Sequence, residues 1–165
     1  MPTGYWISVT LHVFAAIAWL GGLFFFGLVG APVIRQVTPL EVRQSLFHQL
    51  GLHARSVGWI SIAILLVTGP INVWYRGYLR WDGVLNSRAF WVTSVGIALA
   101  AKLACVVAML VTSAWHDFKV GPAAGRVPAD SPEAARLRGH ASRLARGTAL
   151  FGMVLVLAAV RLARS

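Results

Sequence analysis

The sequence has few charged residues, and acidic residues are the scarcest. Only 12% of its 165 residues are charged, Asp and Glu together number 5, and there is one cysteine, Cys105. A soluble domain carries about 25% charged residues, so the composition argues against a soluble protein. A single cysteine excludes an internal disulfide and any paired-cysteine metal or redox motif. The apolar segments contain no carboxylate, which argues against a proton-coupled transporter.

Long apolar runs dominate what is present. Residues 1–34 contain no Asp, Glu, Lys or Arg, a run too long for the core of a signal peptide and without its basic start. Three further segments are long enough to cross a bilayer. We therefore predict an all-α, integral membrane four-helix bundle with short loops, formed as one transmembrane domain over residues 1–165. The predicted helices span about residues 5–34, 39–76, 87–116 and 132–162.

The basic residues lie mainly between the apolar segments. The formal net charge is +10, and this placement fits the positive-inside rule and anionic lipid headgroups better than nucleic acid. The end reached after the first and third segments is the richer in Lys and Arg, so we predict that it is cytoplasmic. A multi-pass protein of the cell inner membrane then has both termini in the periplasm. The richer end carries 9 (Arg35, Arg43, Arg55, Lys119, Arg126, Arg136, Arg138, Arg143, Arg146) and the other carries 5 (Arg76, Arg80, Arg88, Arg161, Arg164).

One lysine lies inside the third apolar segment. Lys102 has no charged residue within 13 positions on either side. A charged lysine in lipid costs about 2.5–3.5 kcal/mol on insertion scales, so it needs a partner or a purpose. Four explanations for Lys102 remain open. It could snorkel, donate to a carbonyl of a helix kinked at Pro70, pair with an anionic group or, after deprotonation, ligate a haem iron. At 100° per residue Lys102 shares a helix face with Cys105, Met109, Ser113 and His116.

Five histidines lie at two membrane levels. His12 lies toward the outer side of the first helix, whereas His48, His53, His116 and His140 lie at the cytoplasmic ends of the other helices. Histidine tolerates a membrane interface, so ordinary polar residues of amphipathic helix entries explain part of this set.

Metal or haem ligation is the alternative for the histidines. Neutral imidazole ligates haem iron, copper and zinc. Trp19 and other aromatic side chains could line a haem pocket, and Arg55 could meet a propionate. No c-type attachment motif is present, so the haem would be a non-covalent b-type haem. Histidines at both levels allow one haem or two stacked across the membrane.

Copper is the second candidate for what the chain binds. Cys105 and Met109 are soft ligands that suit Cu(I), and His116 lies farther along the same face. Against copper, a pathway usually needs several such ligands in series, and the chain has only 3 Met, one of them the initiator.

Short motifs on successive helices resemble a known family. They are Leu11-His12 followed by Trp19-Leu-Gly-Gly-Leu-Phe, then Arg55 followed by Thr68-Gly69, then Lys102-Leu followed by His116 and Gly121. In this order they resemble the CopD copper-resistance membrane domain and the HemJ-type protoporphyrinogen oxidases, over about residues 5–160.

The resemblance implies a four-helix membrane bundle. For the HemJ-type relatives it implies b-type haem, with a first-helix histidine and a third-helix lysine as functional residues, here His12 and Lys102. For the CopD relatives it implies copper handling. Counted from the predicted helix ends, His12 lies about 10 Å and Lys102 about 20 Å from the outer end.

Three functions follow as expectations. The leading hypothesis is a b-haem membrane protein with a redox or electron-transfer role, that is, a haem-dependent oxidoreductase. Copper import or copper handling is the alternative, and a protoporphyrinogen oxidase-like enzyme is a further one. Expected partners are the lipid bilayer, an electron donor or acceptor protein or a quinone, and a second copy of the chain. The predicted metal ligands are His12, His53, His116 and His140. The predicted cofactor-binding residues are these four together with His48, Lys102, Arg55 and Trp19. No catalytic residue is predicted.

Overall fold

The computed structural model describes residues 2–79, 84–124, 127 and 131–164. Every regular element in that part of the chain is helical. Arg80 and Arg126, which enter the predicted orientation, lie outside the described residues. In chain order the elements are α1 (Thr3–Phe25), a π-helical segment (Phe26–Gly30), α2 (Ala31–Arg35), α3 (Leu40–Tyr75), two 3₁₀ turns (Val84–Asn86 and Phe90–Val92), α4 (Ser94–Trp115), a second π-helical segment (His116–Val120), α5 (Gly121–Ala124) and α6 (Pro132–Arg164).

Four of the described helical spans are long and apolar enough to cross a bilayer. They are Thr3–Arg35, Leu40–Tyr75, Ser94–Ala123 and Ala135–Val160. Large apolar side chains along them, such as Phe14 and Leu28, are exposed, as expected where a protein surface faces lipid. The prediction of an all-α, multi-pass membrane protein with four spanning helices is confirmed.

The chain divides into two compact units, here called the first hairpin (Met1–Asn86) and the second hairpin (Ser87–Ser165). In the first hairpin α1 packs antiparallel on α3. Residue numbers rise along one helix as they fall along the other, so a contact at one level fixes the partners at the next. The pairs are Tyr5 with Tyr75, His12 with Thr68, and Gly30 with Leu50.

Aromatic rings close the open end of the first hairpin, where α1 begins and α3 ends. The rings of Tyr5 and Tyr75 meet edge to face with centroids 5.7 Å apart, and Trp6 and Trp74 pack on them. We call these four side chains the aromatic cluster. Tyr and Trp concentrate at membrane–water interfaces, so the cluster indicates that this end lies at an interface.

In the second hairpin α4 packs on α6. The hydroxyl oxygens of Thr112 and Thr148 lie 3.1 Å apart across the pair. Thr148 and Met109 are both buried at this contact. Polar contacts of this kind stabilise a helix pair in lipid by about 0.6 kcal/mol on average.

The two π-helical segments have a shared cause in the sequence. Pro32 follows the segment Phe26–Gly30, and Pro122 follows the segment His116–Val120, each by two residues. Proline lacks an N–H, and its ring crowds the carbonyl four residues earlier. A widened turn relieves that crowding without ending the helix, and such π turns recur at functional sites.

The third span begins its α-helix at Ser94, not near residue 87 as the sequence suggests. The preceding residues form turns, and the hydroxyl oxygen of Thr93 caps the helix by accepting the N–H of Gly96 at 3.1 Å. Lys102 is therefore 8 residues into α4, about 12 Å at 1.5 Å per residue. His12 is 9 residues into α1, about 14 Å, so each residue lies at a similar distance from the start of its own helix.

Gly96 is expected to be required at the start of α4. A Cβ at this position would overlap the carbonyl oxygen of Phe90. Gly96→Ala should therefore destabilise the protein by about 1–3 kcal/mol, as overpacking does, and lower the midpoint of thermal unfolding in detergent. Gly58→Ala is the matched control, because a Cβ there meets nothing within 4 Å. Equal midpoints for Gly96→Ala and the wild type would contradict this packing.

Candidate metal-binding histidines

His12 lies on the face of α1 that packs on α3. Its Nδ1 lies 2.8 Å from Oγ1 of Thr68, which is only 5% exposed. The Thr68 hydroxyl donates to the carbonyl oxygen of Ile64 at 2.6 Å. A hydroxyl has one hydrogen, so Thr68 accepts from His12, and Nδ1 carries the ring hydrogen. In the neutral ring Nε2 then carries the lone pair, the form in which histidine binds a metal ion.

A small residue on α3 borders this imidazole. A Cβ at Gly69 would lie 3.7 Å from Cε1 of His12, so the glycine backbone borders the ring. Ala15 and Trp19 continue the buried face of α1 beyond His12. Trp19 thus lies two turns from His12 along α1, whereas Thr68 contacts the ring and is not among the predicted site residues. The signal for Thr68 is a hydroxyl within an apolar segment, but its partner follows only from the register of the two helices.

His116 opens the second π-helical segment. Its Nδ1 donates to Oδ1 of Asp117 at 2.8 Å, and the two side chains are 36% and 18% exposed. A carboxylate on one ring nitrogen orients a histidine and increases the basicity of the other nitrogen toward a metal. Met109, 3% exposed, and the half-buried Cys105 lie on α4 below it. The second hairpin therefore offers imidazole, thioether and thiol groups along α4.

The other predicted histidines lie on helix surfaces. His48 and His140 are exposed. His53 is also exposed, and its Nδ1 donates to the carbonyl oxygen of Gln49 at 2.8 Å. His53 is 15 residues from Thr68 on the same helix, about 22 Å along the axis. The first hairpin thus does not bring His48 or His53 to His12. His53 instead lines a shallow groove with Ile34, Leu46, Gln49 and Leu50. Arg55, two residues farther along α3, is half-buried.

Lys102 and His12 occupy corresponding positions in the two hairpins. His12 lies 14 residues before Phe26, the first residue of its π-helical segment, and Lys102 lies 14 residues before His116, the first residue of the other. Lys102 is half-buried. The two residues that the resemblance singles out are therefore equivalent by position but differ in chemistry.

Clustered metal ligands are absent from the described part of the chain. No group of three or more His, Cys, Asp or Glu side chains there could hold a metal ion. Structural metal sites are closed by about four protein ligands. A metal ion at His12 or His116 would therefore meet one or two such side chains at a time.

These features define a four-span integral membrane protein in which polar side chains such as Thr68 and Thr148 are buried within the hairpins. The chain matches the family model of copper resistance protein D over residues 53–162 and belongs to that family. The predicted resemblance to CopD is thereby confirmed. Thr68, Lys102 and His116 lie within the matched region, and His12 precedes it.

One relative extends the comparison. The chain is 34% identical to an uncharacterized protein of Aquifex aeolicus (strain VF5) over 112 residues, which cover 67% of this chain and 66% of that protein. No solved structure matches the chain.

Proposed function

We propose that this protein handles copper within the membrane, with Cu(I) as its cargo. The observation that carries the proposal is the hydrogen bond between His12 and Thr68 inside an apolar helix pair, which puts the lone pair of the neutral His12 ring on Nε2. Imidazole is a good copper ligand. Membership of the copper resistance protein D family supports copper over other metals.

The sparse ligand set favours transfer over storage. An ion that moves must bind well enough to enter a site and weakly enough to leave it. His12 in the first hairpin, and Met109 with His116 in the second, each offer few ligands. Met109 adds a soft, buried thioether that selects Cu(I) over harder ions.

Haem b binding, the leading sequence-based hypothesis, has less support. A low-spin haem takes two axial ligands, and Thr68, which contacts Nδ1 of His12 from the facing helix, is not a haem ligand. His48 and His53 lie too far along α3 to pair with His12. Electron transfer and protoporphyrinogen oxidation are supported by the sequence-based hypotheses alone. The periplasmic location of the termini is likewise supported only by the count of Lys and Arg.

Purified protein separates copper from haem. The full chain in detergent is expected to take Cu(I) from a chromogenic chelator and to show no reduced α-band of b-type haem. A matched titration with Zn²⁺ should show weaker binding, since Zn²⁺ gains less from a thioether ligand. A preparation with the haem band that takes up no Cu(I) would overturn the proposal in favour of haem.

A further inference from the structure

Two buried polar atoms in the first hairpin have no hydrogen-bond partner among the described residues. They are Oγ of Ser8 on α1 and Oδ1 of Asn72 on α3. Ser8 is only 6% exposed. Unpaired buried polar groups are rare in native proteins, and they are costly in a bilayer because lipid offers no substitute partner. These two atoms therefore indicate a polar ligand.

The helix register places the two atoms at one level. Ser8 lies one turn from His12 toward the aromatic cluster, and Asn72 lies one turn from Thr68 in the same direction. α1 and α3 are in contact on both sides of this level, through the ring contact of the aromatic cluster and through the His12–Thr68 hydrogen bond. Ser8 and Asn72 thus stand across from each other between the interface and His12.

We propose that Ser8 and Asn72 form a polar step that leads a small hydrated cation from the aromatic cluster to His12. Both oxygens accept hydrogen bonds or coordinate a cation, so their ligand is water or an ion with its water. If the proposed function holds, that ion is Cu(I). Neutral oxygens bind a soft ion weakly, which lets it pass on to the imidazole.

The apolar surroundings give the step a direction. Beyond His12 the buried face of α1 continues with Ala15 and Trp19, and Ala15 offers an ion neither oxygen nor sulfur. The polar groups are spaced one turn apart from the aromatic cluster to His12 and stop there on α1. His12 is therefore the end of this step and the point where the ion is held.

Thiol accessibility tests the step in the full chain. Ser8→Cys is made in a Cys105→Ala background, and the thiol is exposed to Ag⁺, which has the charge of Cu(I), and to neutral methyl methanethiosulfonate. The reaction is read as protection from a maleimide that is added after the protein is unfolded, so that every unmodified thiol can react. We expect both reagents to react about tenfold faster or more with Ser8→Cys than with Ala15→Cys, because a thiol in apolar surroundings is inert. Ala15 is the matched control, since it is 5% exposed on the same face.

The outcomes are distinct from those of the copper titration. An inert Ser8→Cys, or equal rates at both positions, overturns the polar step whether or not the wild type binds Cu(I). Reaction with the neutral reagent but not with Ag⁺ leaves a bound water and overturns passage of a cation. A reactive Ser8→Cys in a protein that binds no Cu(I) supports the step and overturns the copper proposal. Asn72→Cys, on the facing helix, should react as Ser8→Cys does.

Discussion

His12→Ala is expected to abolish Cu(I) binding in the first hairpin. His12 is half-buried between α1 and α3, and the hydrogen bond to Thr68 puts the lone pair of its neutral ring on Nε2, the nitrogen proposed to bind Cu(I). Loss of an outer partner of a ligand typically weakens metal affinity by about 10–100-fold, so loss of the ligand itself should exceed about 100-fold. Competition with a chromogenic Cu(I) chelator measures the change.

His48→Ala is the matched control for this titration. His48 is an exposed histidine on α3, so its removal changes the histidine count by the same amount without touching the helix interface. The control should bind Cu(I) as the wild type does. If His12→Ala also titrates as the wild type does, copper binds elsewhere and the site at His12 is wrong.

The membrane fold could be predicted because the bilayer leaves few choices. A backbone in hydrocarbon must satisfy its own hydrogen bonds, so an apolar run of sufficient length has to be a helix. Residues 1–34 show this, since the absence of charge predicts the span Thr3–Arg35. The resemblance to a known family could also be predicted from the sequence, because it rests on short motifs that keep their order along the chain.

The start of α4 was less accessible to prediction. The apolar composition after Arg88 is compatible with a 3₁₀ turn as well as with an α-helix, so it does not determine where α4 begins. What decides is the cap by Thr93 and the close approach of Gly96 to the Phe90 carbonyl, and both are contacts in space. The later start places Lys102 about as far from the start of α4 as His12 is from the start of α1.

The contact between His12 and Thr68 also lies beyond sequence patterns. Periodicity assigns His12 to a face of its helix but does not say what stands opposite. A shift of α3 by one residue along α1 would turn Thr68 away from the imidazole. Periodicity therefore indicates His12 as a candidate ligand, but it does not indicate the Thr68 hydroxyl that contacts the ring or the facing oxygens of Ser8 and Asn72.

Equivalent positions in the two hairpins do not make two copies of one metal site. The first hairpin places an imidazole 14 residues before its π-helical segment, and the second places the amine of Lys102 there. An imidazole binds a metal ion through its neutral ring nitrogen, whereas a lysine amine binds one only after it loses its proton. Cation binding at this level is therefore expected in the first hairpin, and the second hairpin offers its soft ligands farther along α4, at Met109 and His116.

Thr68→Val is expected to weaken Cu(I) binding without removing the ligand. Valine has nearly the shape of threonine but no hydroxyl, so the Nδ1–H of His12 loses its acceptor and the ring loses the bond that fixes its tautomer. Outer-shell substitutions of this kind cost about 10–100-fold in metal affinity. The lost interhelical bond should also destabilise the hairpin by about 0.6 kcal/mol, and at most about 1.7 kcal/mol.

Thr68→Ser separates the hydroxyl from the methyl group. Serine keeps the oxygen that accepts from His12 and the hydrogen that donates to Ile64, so its Cu(I) titration should stay near that of the wild type. Valine and serine variants with equal affinities would mean that the hydroxyl does not orient His12. If Thr68→Val binds weakly and its unfolding midpoint falls only by the small amount that one lost interhelical bond explains, the effect lies on the ligand rather than on the helix pair, because a general loosening of the hairpin lowers the midpoint further.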